Sequence, residues 1–346
     1  MKWPLVSIVL LNYNGRKFIE LWSSLFKVEY PNYEIIFVDN GSSDKSDELF
    51  EEMLSKHLDR RVNVKIIKLK KNVGYSKANN IGVRKANGDY IVLLSNDIEV
   101  DKYWLKNMIE FLEKNDKVGV AQPLMFRYQN RKSYDITFGF IDVIGNIFSS
   151  LDVVPRDKIN KPFEVFFCEG ASMFIRRKAL EEVGYLFDED YFMYYEDVDF
   201  CWRVRKKGYK ICVVPSSIVY HVRCGTVSGG RNPRYQVLFI RNKLRTLFRN
   251  YNTTSLIKYL PLAMIMELPE CLIWIFSKKN YQIGLAVIKG VLNFLLRLPN
   301  EIEKKHAAKS ILASTKENNQ SEINNHILSL RKSLKIILRK QKLKLY

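Results

Sequence analysis

IVLLSNDIEV, residues 91–100, decides the fold. Ile91 to Leu94 form an unbroken apolar run, the mark of a strand covered on both faces in a parallel sheet. Ser95, Asn96 and Asp97 stop the run. In open α/β sheets, ligands sit in the crevice beyond the carboxyl ends of the strands. Asp97 is therefore expected at such a crevice, where a carboxylate suits a hard cation. The competing reading makes Asp97 a cap for a helix starting near Asp101.

Outward from this stretch, LVSIVLL (5–11), YEIIFVD (33–39), VKIIKL (64–69) and VGVAQ (118–122) read as strands. Residues 16–27, 44–57, 75–87 and 101–114 read as helices, with Ser42, Ser43 and Asp44 as cap candidates. The alternation predicts an α/β fold with a doubly wound, mostly parallel sheet and right-handed crossovers. Three strands end in polar clusters: Asn12-Tyr13-Asn14-Gly15, Asp39-Asn40-Gly41-Ser42-Ser43-Asp44 and Ser95-Asn96-Asp97. One such cluster is ordinary turn chemistry. Three along one sheet edge make a polar rim, and the set reads as a binding site. The chain has no G-x-G-x-x-G after the first strand and no G-x-x-x-x-G-K-[ST], so the dinucleotide and P-loop readings lose their main support. Residues 123–162 are irregular. DITFGFIDVIGNIF (135–148) is expected to form a hairpin or a flap.

Charge divides the chain. Of the net +19, most lies in 231–346, where 22 Lys+Arg stand against 6 Asp+Glu. The front is nearly neutral, as an enzyme domain often is. The back is a basic appendage that suits nucleic acid or an anionic membrane. Cys168, Cys201, Cys212, Cys224 and Cys271 form no C-x-x-C pair, which suggests a reducing compartment. Leu5–Leu11 lacks a cleavage site and reads as a strand, not as a signal peptide.

In the second half, Glu196-Asp197-Val198-Asp199 opens a helix. Acidic residues in a first turn suit the macrodipole, and Asp199 and Arg203 read as an ordinary i, i+4 surface ion pair. The Glu196-Asp197 pair follows the aromatic run YFMYY (191–195). Aromatic walls desolvate a carboxylate and favour general-base work. His221 follows a strand-like IVY; by residue type alone, a lone histidine is more often structural than a ligand.

VSIVLLNYNG (6–15), YEIIFVDNGSSD (33–44), KNVGYSKANNIGVRKANGDYIVLLSNDIEV (71–100), EGASMFIRRKALEEVGYLFDEDYFMYYEDVDFCWRVRKKGY (169–209) and VYHVRCGT (219–226) together resemble inverting family 2 glycosyltransferases of the GT-A fold, in the rhamnosyltransferase-like branch. The ordered set spans residues 5–226. The resemblance implies that Asp39 hydrogen-bonds the donor base and that Asn12 and Asn14 line the nucleotide pocket. Asn72, Gly74, Asn79 and Asn80 would hold the ribose or diphosphate. Ser95-Asn96-Asp97 occupies the family's D-x-D position, with Ser95 and Asn96 on the donor side and Asp97 on Mg2+ or Mn2+. Ser95 departs from the family's first carboxylate, which puts more of the metal affinity on Asp97, the diphosphate and His221. His221 matches a histidine that some relatives use as a metal ligand. Asp197, second carboxylate of the E-D motif, would be the catalytic base, with Gly170 and Glu196 on the acceptor side.

The expected organisation is a GT-A catalytic domain over 1–230 (donor half about 1–122, acceptor half about 123–230). An amphipathic, membrane-associating helical region over 231–305 follows, then a polar linker and basic amphipathic helix over 306–346. YQVLFIRNKLRTLFRN (235–250) mixes apolar and basic residues at helical spacing. The runs at 259–276 and 281–299 are apolar but interrupted by Glu267, Glu270, Lys289 and Arg297, so helices lying in the interface are favoured over spanning ones. LSLRKSLKIILRKQKLKLY (328–346) is basic throughout and suits anionic lipid. A soluble helical subdomain or oligomer contact is the alternative. High apolar content and the lack of a nucleic-acid motif make nucleic acid the weaker explanation of this charge, and no nucleic-acid partner is expected.

The reading is thus an inverting, metal-dependent glycosyltransferase. It would move a sugar from a nucleoside-diphosphate donor to a glycan or lipid-linked acceptor at the cytoplasmic face of a membrane, as a peripheral or monotopic protein. A polyprenyl- or dolichyl-phosphate sugar synthase and an inactive glycan-binding scaffold stand as alternatives. No Q-x-x-R-W follows the E-D pair, which argues against a processive synthase. NYNGRKF is a poor match to the Gly-rich, Arg-containing loop of a sugar-nucleotide pyrophosphorylase.

Overall fold

The computed structural model describes residues 3–57, 62–135, 137–155, 158–223, 232–277, 280–312, 323 and 326–343. Its strands are β1 (Val6–Asn12), β2 (Tyr33–Asp39), β3 (Asn63–Lys68), β4 (Tyr90–Ser95), β5 (Ile98–Val100), β6 (Val118–Arg127), β7 (Asn130–Tyr134), β8 (Phe138–Ile141), β9 (Ile147–Ser149), β10 (Phe163–Glu164), β11 (Ser172–Arg176) and β12 (Lys210–His221). In the front part the helices are α1 (Ile19–Trp22), α2 (Ser46–His57), α3 (Tyr75–Val83), α4 (Trp104–Lys114), α5 (Ser150–Val153), α6 (Arg177–Val183) and α7 (Glu196–Lys206). Behind them follow α8 (Pro233–Asn250), α9 (Thr253–Ile265), α10 (Glu267–Ile275), α11 (Tyr281–Leu296), α12 (Leu298–Leu312) and α13 (Leu330–Leu343).

The main sheet runs β10-β12-β6-β11-β4-β1-β2-β3. β3, β2, β1 and β4 are mutually parallel, and β12 is parallel to β6. β11 lies antiparallel between β4 and β6, which makes the sheet mixed. Apolar residues alternate between its two faces. Val9, Ile36 and Leu93 pack on one side with α3, α7 and the C-terminal helices. Ile8, Ile35, Val92 and Trp104 pack on the other. Burial on both faces explains why β1 and β2 read as continuous apolar runs.

Several local expectations change. Residues 16–27 are a short α-helix flanked by 3-10 turns rather than one helix, and helix 75–87 ends at Val83. The decisive stretch is two strands: after Ser95 the chain turns at Asn96-Asp97 and re-enters the sheet as β5, paired antiparallel with β12. Asp97 does not cap the next helix; Asp101 accepts the Tyr103 amide there. β8 and β9 form the expected hairpin over 138–149, and the tail docks on it through Leu328, whose amide donates to Ile141 O.

The Asp199–Arg203 pair is not on the surface. Both side chains are 2% exposed, and Arg203 also donates to the carbonyls of Tyr185 and Leu186. Four basic residues in the second half of α8 likewise point inward. Arg241, Lys243, Arg245 and Arg249 are all buried. Lys243 pairs with Glu267. Arg249 donates to Glu301 at 2.6 Å and to Asp188 at 2.6 Å. Arg245 meets Glu301 at 2.8 Å as an ion contact off the hydrogen-bond line. These four cations neutralise buried acids or hold backbone carbonyls, so they are not offered to lipid phosphate. Residues 306–312, expected in a polar linker, finish α12 instead; 313–322 lie outside the described residues. In α13 the side chains of Arg339, Lys340 and Lys342 also lie outside the description, as does Lys344.

Candidate active site

Strand register assembles the polar rim. Asn12 pairs with Asp39 across β1–β2, and Leu11 pairs with Ser95 across β1–β4. The three polar clusters therefore meet at one edge. Asn12 Nδ2 donates to Asp39 Oδ1 at 2.8 Å and to Ser46 Oγ at 2.8 Å; its Oδ1 accepts from Asn96 Nδ2 at 2.9 Å. Asp39 also accepts from the Ser42 amide and hydroxyl. Asn14 Oδ1 accepts the Ser43 amide.

A cleft of about 270 Å³ opens above this rim. Among the expected residues, Asn72, Gly74, Ser95, Asn96, Asp97 and His221 line it. Tyr13 and Asn40 of the polar clusters and Phe192 and Met193 of the aromatic run also line it, with Tyr75 and Tyr235, none of them given an individual role from sequence. Gly74 has φ +90°, and a Cβ there would meet Phe192 at 2.6 Å, so a side chain would be both strained and obstructed. Asn40 Oδ1 accepts the Val73 amide at 2.9 Å and thereby holds this loop.

The other donor-side candidates stand behind the cleft wall. Asn12 and Asp39 spend their polar atoms on the frame, and Asn14 gives it its Oδ1. Asn79 is fully buried within α3, donating to Tyr75 O. Asn80 exchanges two hydrogen bonds with the Phe187 backbone. A direct hold of Asn79 or Asn80 on ribose or diphosphate does not fit this geometry, because Asn79 is fully buried and absent from the cleft lining, and the Asn80 amide is committed to the Phe187 backbone.

Asp97 and His221 meet because β5 pairs with β12: His221 lies opposite Ile98, and the Val222 amide donates to Asp97 O. Asp97 Oδ2 is 3.3 Å from His221 Nε2. The other ring nitrogen is 3.0 Å from Asp135 Oδ2, which also accepts from Arg223 Nε. Burial pulls the imidazole pKa down, but the bonds to Asp135 and Asp97 outweigh it and push it up to about 9. Burial raises Asp135, and its bonds to His221 and Arg223 bring it below the usual carboxylate range. A ligating histidine steadied by a carboxylate on its far nitrogen is a recurrent metal-site arrangement. Among the described residues no group of three or more His, Cys, Asp and Glu surrounds one point. Asp97 and His221 together suit a divalent cation whose remaining positions a substrate oxygen or water can fill. Asp135 was missed from sequence because it lies in the irregular segment, with no spacing that ties it to His221.

At the start of α7, Asp197 Oδ1 accepts the Val198 amide at 2.8 Å and Oδ2 accepts the Gly170 amide at 3.2 Å. Gly170 O in turn accepts from Tyr75, whose side chain lines the cleft. Burial raises the Asp197 carboxyl to about 6, with these amides holding it down. Glu196 is pushed well above the carboxylate range by burial and by Asp197. One buried carboxyl that ionises near neutrality suits proton abstraction.

Residues 7–184 match glycosyl transferase family 2, just over half of the chain. The chain belongs to that family. It is a glycosyltransferase of the GT-A fold. It is 27% identical over 295 residues to the poly-beta-1,6-N-acetyl-D-glucosamine synthase of Staphylococcus epidermidis, covering 84% of this chain and 67% of that protein. It is 27% identical over 224 residues to the low-salt glycan biosynthesis hexosyltransferase Agl10 of Haloferax volcanii, covering 62% of this chain and 66% of the relative. The fold is similar to the mannosyltransferase PcManGT of Pyrobaculum calidifontis in complex with GDP-Man and Mn2+ (TM-score 0.55, 15% identity, 85% of this chain and 88% of the other). It is also similar to S. aureus TarS 1-349 in complex with UDP-GlcNAc (TM-score 0.52, 18% identity, 93% and 89%). The family match ends before Glu196 and Asp197, so the glycosyltransferase assignment does not by itself assign these two carboxylates a role.

Proposed function

We propose that this glycosyltransferase moves a sugar from a nucleoside-diphosphate donor to a hydroxyl of a glycan or lipid-linked acceptor, with inversion and with a divalent cation, Mg2+ or Mn2+. The observation that carries the reading is the joining of Asp97 and His221 in a cleft whose other lining side chains carry no charge. A diphosphate there needs positive charge that this lining does not supply, and a divalent cation would supply it. Asp97 and His221 would hold the cation, which neutralises charge building on the departing diphosphate. Asn72, Gly74, Ser95 and Asn96 would contact the donor. Asn12, Asn14 and Asp39 would shape its base end from behind.

Asp197 would accept the proton of the acceptor hydroxyl as that oxygen bonds to the anomeric carbon. The bond from that carbon to the diphosphate oxygen breaks with its electron pair leaving on the diphosphate. A single displacement inverts the configuration and needs no second nucleophilic carboxylate. Gly170 holds Asp197 through its amide, and Glu196 would face the acceptor side.

Membrane association belongs to the same reading. Of the charges that interrupt the run at 259–276, Glu267 turns inward to Lys243, and the half-buried Glu270 accepts from Trp274 one turn on in the same helix. Leu268, Leu272, Ile273 and Phe276 of α10 and its end are exposed, with Leu285, Ile288, Leu292 and Leu296 of α11. Surface of this kind, followed by the basic α13, suits a helical face lying in the cytoplasmic membrane interface as a peripheral or monotopic anchor. Among the described residues no single helix is long and apolar enough to cross a membrane; α11 with Leu298–Ala308, bent by 61°, passes by length and composition as a pair. The names of the relatives support a growing polysaccharide as acceptor. The motif resemblance supports a deoxyhexose such as rhamnose as one candidate sugar.

The test is thermal stabilisation by UDP, GDP, dTDP and CMP with and without Mn2+, followed by transfer from the matching sugar nucleotide. A ligand that binds only the native state raises apparent stability. One diphosphate is expected to give a metal-dependent shift, and its sugar nucleotide an inverted product. No shift and no turnover with any donor would overturn the reading in favour of a glycan-binding scaffold.

A further inference from the structure

Between Tyr191 and Asp197 the backbone takes an unusual course. Phe192, Tyr194 and Tyr195 all have positive φ, at 65°, 74° and 67°. Bulky L-residues rarely adopt that region, and such a conformation persists only when its surroundings over-determine it. The surroundings here are α8. Asn242, fully buried, directs Nδ2 at three carbonyls of this loop, those of Tyr191, Met193 and Tyr194, each at 2.9 Å. Its Oδ1 accepts from Arg241 Nε at 2.9 Å, which fixes which end of the amide faces the loop. Arg241 and Arg245 take the Asp190 carbonyl, and Arg241 also reaches Tyr191 O. The loop then delivers two things at once. Phe192 and Met193 line the cleft, and Tyr195 begins the helix whose first residues are Glu196 and Asp197.

We infer that Asn242 is a positioning residue for transfer: from α8 it clamps the left-handed aromatic loop and so aims the Asp197 carboxylate at the acceptor hydroxyl. The inference rests on the proposed role of Asp197. It also extends the catalytic apparatus past the family match, into the basic segment that follows. Asn242 touches no reacting atom. Its effect passes through the loop backbone, and a misplacement of about 1 Å at a reacting group can lower a rate about 10²-fold.

The test uses the full chain and the variants Asn242→Ala and Asn242→Asp, the second keeping the size but presenting an acceptor to three carbonyls. Calorimetric titration with UDP or GDP plus Mn2+ counts intact donor sites, and kcat is expressed per counted site. Hydrogen exchange over 190–200 reads the loop directly. The expected result is a per-site kcat about 10²-fold lower, an unchanged dissociation constant for the nucleotide, and exchange that speeds at 191–197 while β1, β2 and β4 stay protected. A per-site kcat equal to wild type, with all of the loss in the site count, would overturn the inference, and so would loop exchange identical to wild type. Wild-type protein that neither binds nucleotide nor transfers sugar would sink the proposed function; the exchange measurement would still decide whether Asn242 holds the loop.

Discussion

Ile98 and His221 lie opposite each other across the antiparallel pairing of β5 with β12, and that single register sets Asp97 beside the imidazole. β5 is three residues long, so the proposed metal site depends on a short strand.

Asp135→Asn keeps the shape next to His221 but removes the charge on its far nitrogen. Loss of such an orienting carboxylate typically weakens metal binding by about 10–100-fold. A Mn2+ titration of the transfer rate is expected to show that rise in the activating concentration, with a larger one for Asp97→Ala. An unaltered Mn2+ dependence in both variants would place the metal elsewhere.

Asp197→Asn is expected to lower kcat by about 10²–10⁴-fold, the usual worth of a positioned general base. Nucleotide-dependent thermal stabilisation is expected to stay. The pH profile carries a sign. Burial lifts the Asp197 carboxyl to about 6, and the base must be ionised to work. The rate is therefore full above that value and falls as pH drops through it. A flat profile between pH 5 and 8, values spanning about the usual working range, would argue against this carboxylate as base.

Glu301→Ala leaves Arg245 and Arg249 buried without their shared carboxylate. Removing one partner of a buried pair costs about 3–5 kcal/mol. Urea unfolding should show that loss as a lower midpoint at unchanged slope. A loss below about 1 kcal/mol would mean that the cluster is worth no more than an exposed pair.

Acid should loosen the same region. Burial would raise the Asp188 carboxyl, but Arg249 and Lys304 outweigh it and hold it well below the usual range. A depressed folded pKa contributes stability that is present above the ordinary carboxylate value and lost as pH falls below it. Melting temperatures measured at falling pH are expected to decline more steeply for wild type than for Asp188→Asn. Equal slopes would count against it.

Much of the front sheet was legible because its signals are local. Apolar runs such as IVLL and IIFV, each closed by Asn, Asp or Ser, mark strand and crevice together. Asp97, Asn96 and Ser95 were placed at the cleft by that logic. Asn79 and Asn80 were not, because a helix hides which of its polar residues face the ligand and which pack against a neighbouring loop. Arg241 to Arg249 read as the basic side of a membrane-associating helix, since spacing cannot reveal that Glu301, Asp188 and the loop carbonyls wait on the other side. Asp135 and Asn242 act through partners far away in the chain, and nothing near them in sequence announces those partners.

The inward charges of α8 also bear on how such a chain can be recombined. Lys243 reaches Glu267 in α10, Arg249 reaches Glu301 in α12, and Arg241 holds the loop before α7. A chimera that joined this front half to another transferase's tail would strand Asp188 and Asp190, whose counter-charges Arg249 and Lys304 belong to the tail. Grafting would have to carry α8, α10 and α12 along with the sheet, so a tail is more readily exchanged at α13 than at α8.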